Sequence, residues 1–324
     1  RGGLKHVGNA LNHAGKLNQV DHPLSAGGLA QVRQLRTSVA ALMQEPPEAQ
    51  AAAASLLQCR QWYISPFLRA LQTAAYALAP LQRLAKQQGE TLKMRITKEA
   101  NEIIQTPMSL DCQGKKGNVG FKVVSRAISK IAETFEEDED EPTNQALAAS
   151  RQEELRDVSA TLCSMEIEEV AQTWWSDVSK FQKEHLKLDD ARVKKLVQRM
   201  LLKDDQPQVG LIAHSILFKR MIQLFWPKDA MRQEELRTAL RNGAAHDTID
   251  PLHDKIMNCG TLVLTFRYQK QGAEIVKAKF LFDGHMESAL AHERQTDEDT
   301  EDIAGQDERD PSPQIPRPIS PELL

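Results

Sequence analysis

The fold of this chain is decided by the stretch Trp62-Tyr63-Ile64-Ser65-Pro66-Phe67-Leu68-Arg69-Ala70-Leu71-Gln72-Thr73-Ala74. Its apolar and aromatic start is typical of a short buried strand, and the residues after Ser65-Pro66 have the spacing of a helix. Arg69 is therefore expected one turn into a helix that follows a strand. Helix-start amides and a planar guanidinium both suit phosphate or carboxylate oxygens, so this junction predicts an anion site. An ordinary surface arginine is the alternative interpretation.

Strands and helices alternate on both sides of this stretch. The first predicted elements are a helix from a Ser25 cap to Pro46-Pro47, an alanine-rich helix over 48–58, the strand at 62–64, the helix of Arg69 and a strand over 91–97. The alternation returns with an apolar run over 208–213, typical of a buried parallel strand, and a helix over 216–226. Segments 260–268 and 273–282 alternate as a β-hairpin does. We therefore expect an α/β fold, a three-layer sandwich with a mostly parallel central sheet flanked by helices and a C-terminal β-hairpin.

The segment 103–207 interrupts this alternation and is mostly helical and polar. Its helices are predicted over 121–135, over 153–183 as one or two helices, and over 191–203. The acidic run 136–141 is expected to be a solvated loop, because like charges repel one another. Residues 287–324 are acidic and then proline-rich, which is typical of a disordered tail. We therefore predict one domain over 1–286, with 103–207 as a helical, acidic insertion, followed by a tail over 287–324.

The amino-acid composition limits the classes of binding partner that we expect. The 324 residues contain 41 Lys and Arg against 45 Asp and Glu, and no long basic stripe, so nucleic acid is not an expected partner. The four cysteines Cys59, Cys112, Cys163 and Cys259 lie far apart, which favours reduced thiols over a zinc site or disulfides. No apolar run approaches the roughly 20 residues that span a bilayer, and no signal peptide is visible. We expect a cytoplasmic protein with no membrane association.

Three histidines stand in informative positions. His214 directly follows the predicted strand over 208–213, and ligands collect at the carboxyl ends of strands in open α/β sheets. His6 lies in the loop Lys5-His6-Val7-Gly8-Asn9-Ala10-Leu11-Asn12, and His22 precedes the Ser25 helix cap. Taken singly, each of them has a structural interpretation as simple as a functional one.

Taken in order, the motifs are more specific than their parts. His6 with Asn12, then Asp21-His22-Pro23-Leu24-Ser25, then Ser65-Pro66 with Arg69 and Gln72-Thr73-Ala74, and finally Ala213-His214-Ser215, resemble the histidine phosphatase superfamily, the phosphoglycerate-mutase-like group. The resemblance covers roughly 5–105 and 207–265. The helical stretch between these two segments is outside it.

The resemblance implies a mechanism without metal or other cofactor. His6 would attack phosphorus and carry the phosphoryl group as phosphohistidine, which a neutral imidazole can do because it keeps a free lone pair near neutral pH. Arg69 and His214 would hold the equatorial oxygens, where negative charge must be neutralised. Asn12 would donate a further hydrogen bond to the phosphate.

The resemblance also implies a carboxyl group that protonates the leaving oxygen. Glu99 is the best match by its position after the 91–97 strand, and Glu102 is the alternative. A general acid of this kind needs a raised pKa. The sequence leaves the choice between the two carboxylates open.

The loop around His6 departs from the family pattern. Lys5-His6-Val7 replaces Arg-His-Gly, and Gly8-Asn9 replaces Glu-Ser. Lys5 would hold phosphate as a point charge, without the bidentate fork of an arginine. We therefore predict a phosphomonoester hydrolase for a phosphorylated small molecule or a phosphoprotein. The alternatives are a phosphomutase, or a catalytically impaired member that binds a phosphorylated ligand, or a protein through the acidic insertion.

A third interpretation is a helical scaffold in which Trp174-Trp175 forms a binding face. Adjacent helical residues point about 100° apart, so one tryptophan would pack inward and its neighbour would lie near the surface. Ordinary packing is the simpler interpretation of the pair. The sequence leaves the oligomeric state open.

Overall fold

Three short apolar segments form a parallel sheet in the computed structural model, which describes residues 20–103, 114–136, 145–175, 184–202, 206–241, 249–269 and 272–287. The strands are β1 (Gln61–Ile64), β2 (Lys93–Ile96) and β3 (Val209–Ile212), in the order β2-β1-β3. Ile64 is level with both Ile96 and Ile212, so all three strands end together. The residues that follow the strands therefore meet at one edge of the sheet.

The two neighbours of β1 differ in burial. Every residue of β1 is buried, whereas every residue of β3 is half-buried, so the prediction of a fully buried strand at 208–213 is only partly right. Gly210 lies opposite Trp62, and a Cβ there would come within 2.2 Å of the Trp62 ring. Glycine at this position allows the tryptophan to pack flat against β3.

Helices on the amino-terminal side follow the prediction closely. They are α1 (Ala26–Leu42), α2 (Pro47–Ala52), α3 (Ala54–Leu57) and α4 (Leu68–Gln87). The Ser25 hydroxyl accepts a hydrogen bond from the Gly28 amide at 3.2 Å, which confirms the predicted cap of α1. The alanine-rich helix over 48–58 is instead two short helices, because Ala53 leaves the helical conformation.

The middle of the chain packs onto the same core as the sheet. Helix α5 (Phe121–Glu136) and helix α6 (Gln145–Cys163) bury Val123, Ile131 and Leu162 in one cluster with residues of α4 and β1. The segment predicted as an insertion therefore contributes to the main hydrophobic core.

The prediction of helix over 153–183 is wrong for residues 164–175, and residues 176–183 lie outside the described ranges. Glu166 pairs with β2 instead, since its amide donates to the Met94 carbonyl at 2.8 Å and its carbonyl accepts from Ile96 at 3.0 Å. A 3₁₀ turn (Glu168–Val170) follows. Trp174 is buried and Trp175 half-buried, as expected for ordinary packing, although neither lies in a helix.

A second hydrophobic cluster lies in the carboxyl-terminal part. It is built from α7 (Glu184–Leu202), α8 (Ser215–Leu224), α9 (Ala230–Arg241), β4 (Lys255–Ile256), β5 (Thr261–Gln269), β6 (Gly272–Leu281) and β7 (Met286–Glu287). Strands β5 and β6 pair antiparallel, which confirms the predicted hairpin. Helix α9 was not predicted, because Leu236 and Leu240 are its only buried residues in an otherwise polar segment.

The described residues thus form an α/β fold with a parallel sheet and a carboxyl-terminal hairpin, and the three-layer sandwich stays a prediction. The acidic residues after Glu136 and the tail after Glu287 lie outside the described ranges. Cys59, Cys163 and Cys259 are free thiols, and Cys112 lies outside those ranges. Within the described ranges, none of the helices combines the length and hydrophobicity that a membrane crossing requires.

Candidate functional site

The carboxyl edge of the sheet brings together four side chains from three strand ends. Ser65 and Arg69 follow β1, Glu102 follows β2 and His214 follows β3. The Glu102 Oε2 atom lies 3.5 Å from His214 Nδ1 and 3.9 Å from Arg69 Nη2. Two residues that the sequence singled out, Arg69 and His214, therefore face one carboxylate at a single site.

His214 is a neutral imidazole held on both sides. Burial lowers the pKa of His214 well below its ordinary value, and the charges of Arg69 and Arg192 act in the same direction. Its Nε2 atom lies 2.7 Å from the Ser65 hydroxyl. The tautomer with a proton on Nδ1 lets Ser65 donate to Nε2 and directs the N–H toward Glu102. This N–H therefore faces the Glu102 carboxylate, 3.5 Å away, on the same side as the Arg69 guanidinium.

Arg69 is fixed by the start of its helix. Its guanidinium carbon lies 5.1 Å from the centre of the Phe67 ring, and its side chain is 16% exposed. Phe67 is fully buried and packs edge-on against both His214 and Trp174. The arginine stem is therefore supported by a rigid aromatic group, which leaves the head directed toward Glu102.

Asp21 supplies the cap that helix α4 lacks locally. Phe67 makes no side-chain cap, but the Leu68 amide donates to Asp21 Oδ1 at 2.7 Å. Asp21 is fully buried and takes a left-handed backbone conformation with φ of 54°. The neighbouring Leu24 amide donates to Gln72 Oε1 at 2.7 Å. The Asp21 motif and Gln72 thus join the loop before α1 to the first turns of α4.

Helix α5 and the loop that precedes it hold Asp21 in turn. Arg126 donates to the Asp21 carboxylate at 2.6 Å and to its carbonyl at 2.8 Å, and Asn118 donates to the same carboxylate at 3.0 Å. Burial raises the pKa of Asp21, while the Leu68 amide and the Arg126 charge oppose the rise. The carboxylate is therefore surrounded by donors that compensate its burial.

Glu99 lies at the same end of β2 but is held by other partners. Its Oε1 atom accepts from Lys195 at 2.8 Å and its Oε2 atom from Thr97 at 2.5 Å. Burial acts to raise the pKa of Glu99, but these hydrogen bonds outweigh it and lower the pKa to about 2. Glu99 is therefore a carboxylate with no proton to donate near neutral pH.

Glu102 is the carboxylate that contacts the other site residues. Its Oε1 atom accepts from the Ile103 amide at 3.0 Å, which leaves Oε2 directed at Arg69 and His214. The Glu102 side chain is 11% exposed. Of the two carboxylates that the sequence left open, Glu102 is the one at the Arg69 and His214 site.

A polar cavity of about 430 Å³ is lined in part by Glu99. Its lining includes Lys98, Glu168, Gln172, Thr173 and Arg199. Both signs of charge and two neutral polar groups are present. The cavity therefore suits a polar and hydroxylated group better than an apolar one.

The remaining predicted residues are placed differently. Lys5, His6 and Asn12 lie outside the described residues. His22 lies between the two anchor points of its loop, at Asp21 and Leu24, with its Nδ1 atom 3.0 Å from the Pro23 carbonyl. His22 is thus set beside the first turns of α4.

Sequence reasoning missed Arg126 and Arg192. Each is a half-buried arginine on a helix face that also carries buried apolar residues, Val123 for Arg126 and Leu196 for Arg192. An arginine on an apolar helix face must find acceptors, because an unpaired buried charge is costly. This pattern is the sequence signal that could have identified both residues.

Comparisons with known proteins give no assignment. No protein-family model, no curated protein and no solved structure matches the chain. The resemblance to histidine phosphatases therefore depends on the ordered motifs alone.

Proposed function

We propose that this protein is a metal-independent phosphomonoester hydrolase that works through a phosphohistidine intermediate. The observation that supports the proposal is the meeting of Arg69, Glu102 and His214 at the carboxyl edge of a parallel sheet. A cation, a neutral N–H donor and a carboxyl group are the groups that phosphoryl transfer to a histidine requires around the phosphate.

The proposed roles follow from the chemistry of each group. Arg69 and the Nδ1–H of His214 bind the equatorial oxygens, with Lys5 and Asn12 as further ligands. His6 attacks phosphorus, a nitrogen–phosphorus bond forms, and the bond from phosphorus to the ester oxygen breaks. Water then attacks the phosphohistidine and releases inorganic phosphate.

Glu102 is the proposed proton donor to the ester oxygen. Glu99 is unsuitable because Lys195 and Thr97 hold it ionised. When a phosphate dianion takes over the Arg69 guanidinium, Glu102 loses part of its attraction to Arg69 and faces a like charge. Both changes favour the uptake of a proton by Glu102.

The substrate is proposed to be the phosphate monoester of a polar alcohol. The cavity beside Glu99 has both cationic and anionic walls, so it does not favour a highly anionic group. A phosphorylated small molecule or a phosphorylated side chain of a protein has the required chemistry.

The proposal is tested by incubating the purified chain with p-nitrophenyl phosphate, with and without EDTA. We expect turnover that EDTA leaves unchanged and that H6A and H214A abolish. H253A is the matched control, because the His253 side chain is 78% exposed and contacts Asp250. Acid-labile phosphate on the wild-type chain that is lost in H6A would identify the nucleophile.

A second candidate function is the binding of a phosphorylated ligand without turnover. The Lys5-His6-Val7 loop favours it, because it lacks the arginine and glycine of the family pattern. Saturable binding of phosphate or vanadate by a chain that hydrolyses neither p-nitrophenyl phosphate nor an alkyl phosphate would support this candidate and contradict the enzyme proposal.

A further inference from the structure

Arg192 connects helix α7 to the segment that carries Glu102. Its Nη1 atom donates to the carbonyl of Glu99 at 2.9 Å and to the carbonyl of Asn101 at 2.6 Å. Its Nη2 atom lies 3.4 Å from the carbonyl of Glu102. One guanidinium therefore contacts three carbonyls of the chain between Glu99 and Glu102.

Asp189 holds the guanidinium in place. The Asp189 carboxylate accepts from Arg192 Nε at 3.1 Å and from Nη2 at 2.7 Å, and the Arg192 side chain is only 20% exposed. A charge-assisted bond with two contacts fixes the plane of a guanidinium as well as its position. Helix α7 therefore presents its donors to the Glu102 segment in one orientation.

The segment from Asn101 to Glu102 lies outside regular secondary structure. The 3₁₀ turn (Lys98–Ala100) ends at Asn101, and no regular element continues it. Other described contacts of the segment include the Asn101 backbone amide on the Lys98 carbonyl at 3.2 Å, the Asn101 side-chain amide on the Trp174 carbonyl at 2.9 Å and the side-chain contacts of Glu102. Arg192 of α7 contacts the carbonyls of both Asn101 and Glu102 and so helps to set the backbone position of Glu102.

We propose that Arg192 is a positioning residue that holds Glu102 where it can protonate the leaving oxygen, which equips the site for alkyl phosphate monoesters. This inference rests on the proposed function. An alkoxide is a poor leaving group, so cleavage of its bond to phosphorus needs a proton from Glu102 as the bond breaks. The p-nitrophenolate ion leaves without that proton. A misplaced Glu102 therefore affects alkyl substrates selectively.

The experiment compares glycerol 2-phosphate with p-nitrophenyl phosphate. We expect E102Q to lower kcat/KM for glycerol 2-phosphate by about 100-fold, the lower range of general-acid catalysis, with a much smaller effect on p-nitrophenyl phosphate. R192M should show the same selective loss. R192K should lose less, because an ammonium group still reaches one carbonyl but cannot bind several in a fixed plane.

R220Q is the matched control. Arg220 binds Asp190, the neighbour of Asp189 on α7, through contacts of 2.6 and 2.7 Å, and it makes none of the contacts to the Glu102 segment. R220Q should therefore hydrolyse both substrates like the wild type. Far-ultraviolet circular dichroism identifies variants that fail to fold, and R192K carries the comparison if R192M is one of them.

The possible outcomes distinguish the positioning role of Arg192 from the proposed function of the protein. Equal losses on both substrates in the folded Arg192 variants, or no loss at all, overturn the positioning role while the proposed function stands. Hydrolysis of neither substrate by the wild-type chain overturns the proposed function and the role of Arg192 together. Selective loss in R192M and E102Q, with R220Q unaffected, supports both.

Discussion

The segments that follow β1 and β2 meet at one site but are held in different ways. After β1 the chain enters α4 at once, and residues 65–68 are almost completely buried. After β2 the chain makes one 3₁₀ turn and then reaches Glu102 without a helix of its own. Arg69 is therefore positioned by its own helix, whereas Glu102 depends on Arg192 from α7.

The contacts that position Arg69 are local in the sequence, whereas those that position Glu102 are distant in the sequence. The position of Arg69 follows from a strand, a short link and a helix, which lie next to one another in the sequence. The position of Glu102 requires α7, which lies some ninety residues further on. Under the proposed function, substitutions of Arg69 should act directly on phosphate binding, whereas substitutions of Arg192 should act through the position of Glu102.

The largest effect is expected at Arg69. R69Q should lower kcat/KM for p-nitrophenyl phosphate by about 1,000-fold, because it removes a cation aimed at the charge that develops in phosphoryl transfer. R69K should lose less, since it keeps the charge without the bidentate fork. Steady-state kinetics and the affinity for vanadate measure both changes.

R83Q controls for the loss of an arginine from the same helix. Arg83 lies on α4, is 49% exposed and contacts Asp157. If R69Q loses no more activity than R83Q, Arg69 does not bind the phosphate. The proposed difference between the segments after β1 and β2 would then be wrong.

The support of the β1 segment is tested at Asp21. D21A should lower the free energy of unfolding by about 3 kcal/mol, because it leaves the Arg126 charge and the Leu68 amide without their buried acceptor. Urea denaturation measures the change. D157A is the control, since Asp157 is a half-buried surface partner of Arg36 and Arg83, and exposed ion pairs contribute about 0 to 1 kcal/mol. If D21A and D157A lower the free energy of unfolding equally, Asp21 stabilises the start of α4 no more than a surface ion pair would.

Most local elements could be predicted from the sequence because their signals are local. The Ser25 cap, the Trp62 strand, the helix of Arg69 and the carboxyl-terminal hairpin each depend on spacing within a few residues. The break in the helix at Ala53 could not be predicted from the sequence, because alanine has a high helix propensity. The packing around Ala53 ends the helix instead. The pairing of Glu166 with β2 is likewise a long-range contact.

The residues of the candidate site also divide into those with a local sequence signal and those that depend on long-range contacts. His214 closely follows a strand, so the rule for ligands at strand ends selected it, whereas Arg69 was selected as an arginine in the first turn of a helix that follows a strand. The choice between Glu99 and Glu102 depended on Lys195 and Arg192, two side chains of α7 whose contacts no spacing in the sequence reveals. The sequence could name the two carboxylates but not distinguish them.

The pH dependence of the free energy of unfolding tests whether Glu99 is held ionised in the folded chain. The pKa of Glu99 is lower in the folded chain, at about 2, than its ordinary value of 4.5, so its stabilisation is fully present above pH 4.5 and is lost as the pH falls toward 2. The shift corresponds to about 3 kcal/mol. Urea denaturation over this pH range should show a smaller loss in E99Q than in the wild type.

K195M provides an intermediate case, because it removes one donor to Glu99 and leaves Thr97 and the nearby Arg199 in place. Hydrolysis of glycerol 2-phosphate by E99Q should stay close to that of the wild type. Parallel pH curves for the wild type and E99Q, or a loss of hydrolysis in E99Q that equals the loss in E102Q, would contradict the assignment of different roles to the two carboxylates.

The smallest effect is expected at Ser65, where the β1 and β3 ends meet. Its hydroxyl is fully buried and lies 2.7 Å from His214 Nε2, so S65A removes one neutral hydrogen bond, worth about 1 kcal/mol of stability. The loss of this donor to Nε2 weakens the preference for the tautomer with the proton on Nδ1, and kcat should fall by up to about tenfold, or about 1.4 kcal/mol. Nitrogen-15 NMR of the His214 ring reports the proton position directly. S164A is the control, because the Ser164 hydroxyl accepts from Gln82 on the surface. An unchanged His214 tautomer in S65A would mean that the ring is positioned by Phe67 and Glu102 without help from the β1 end.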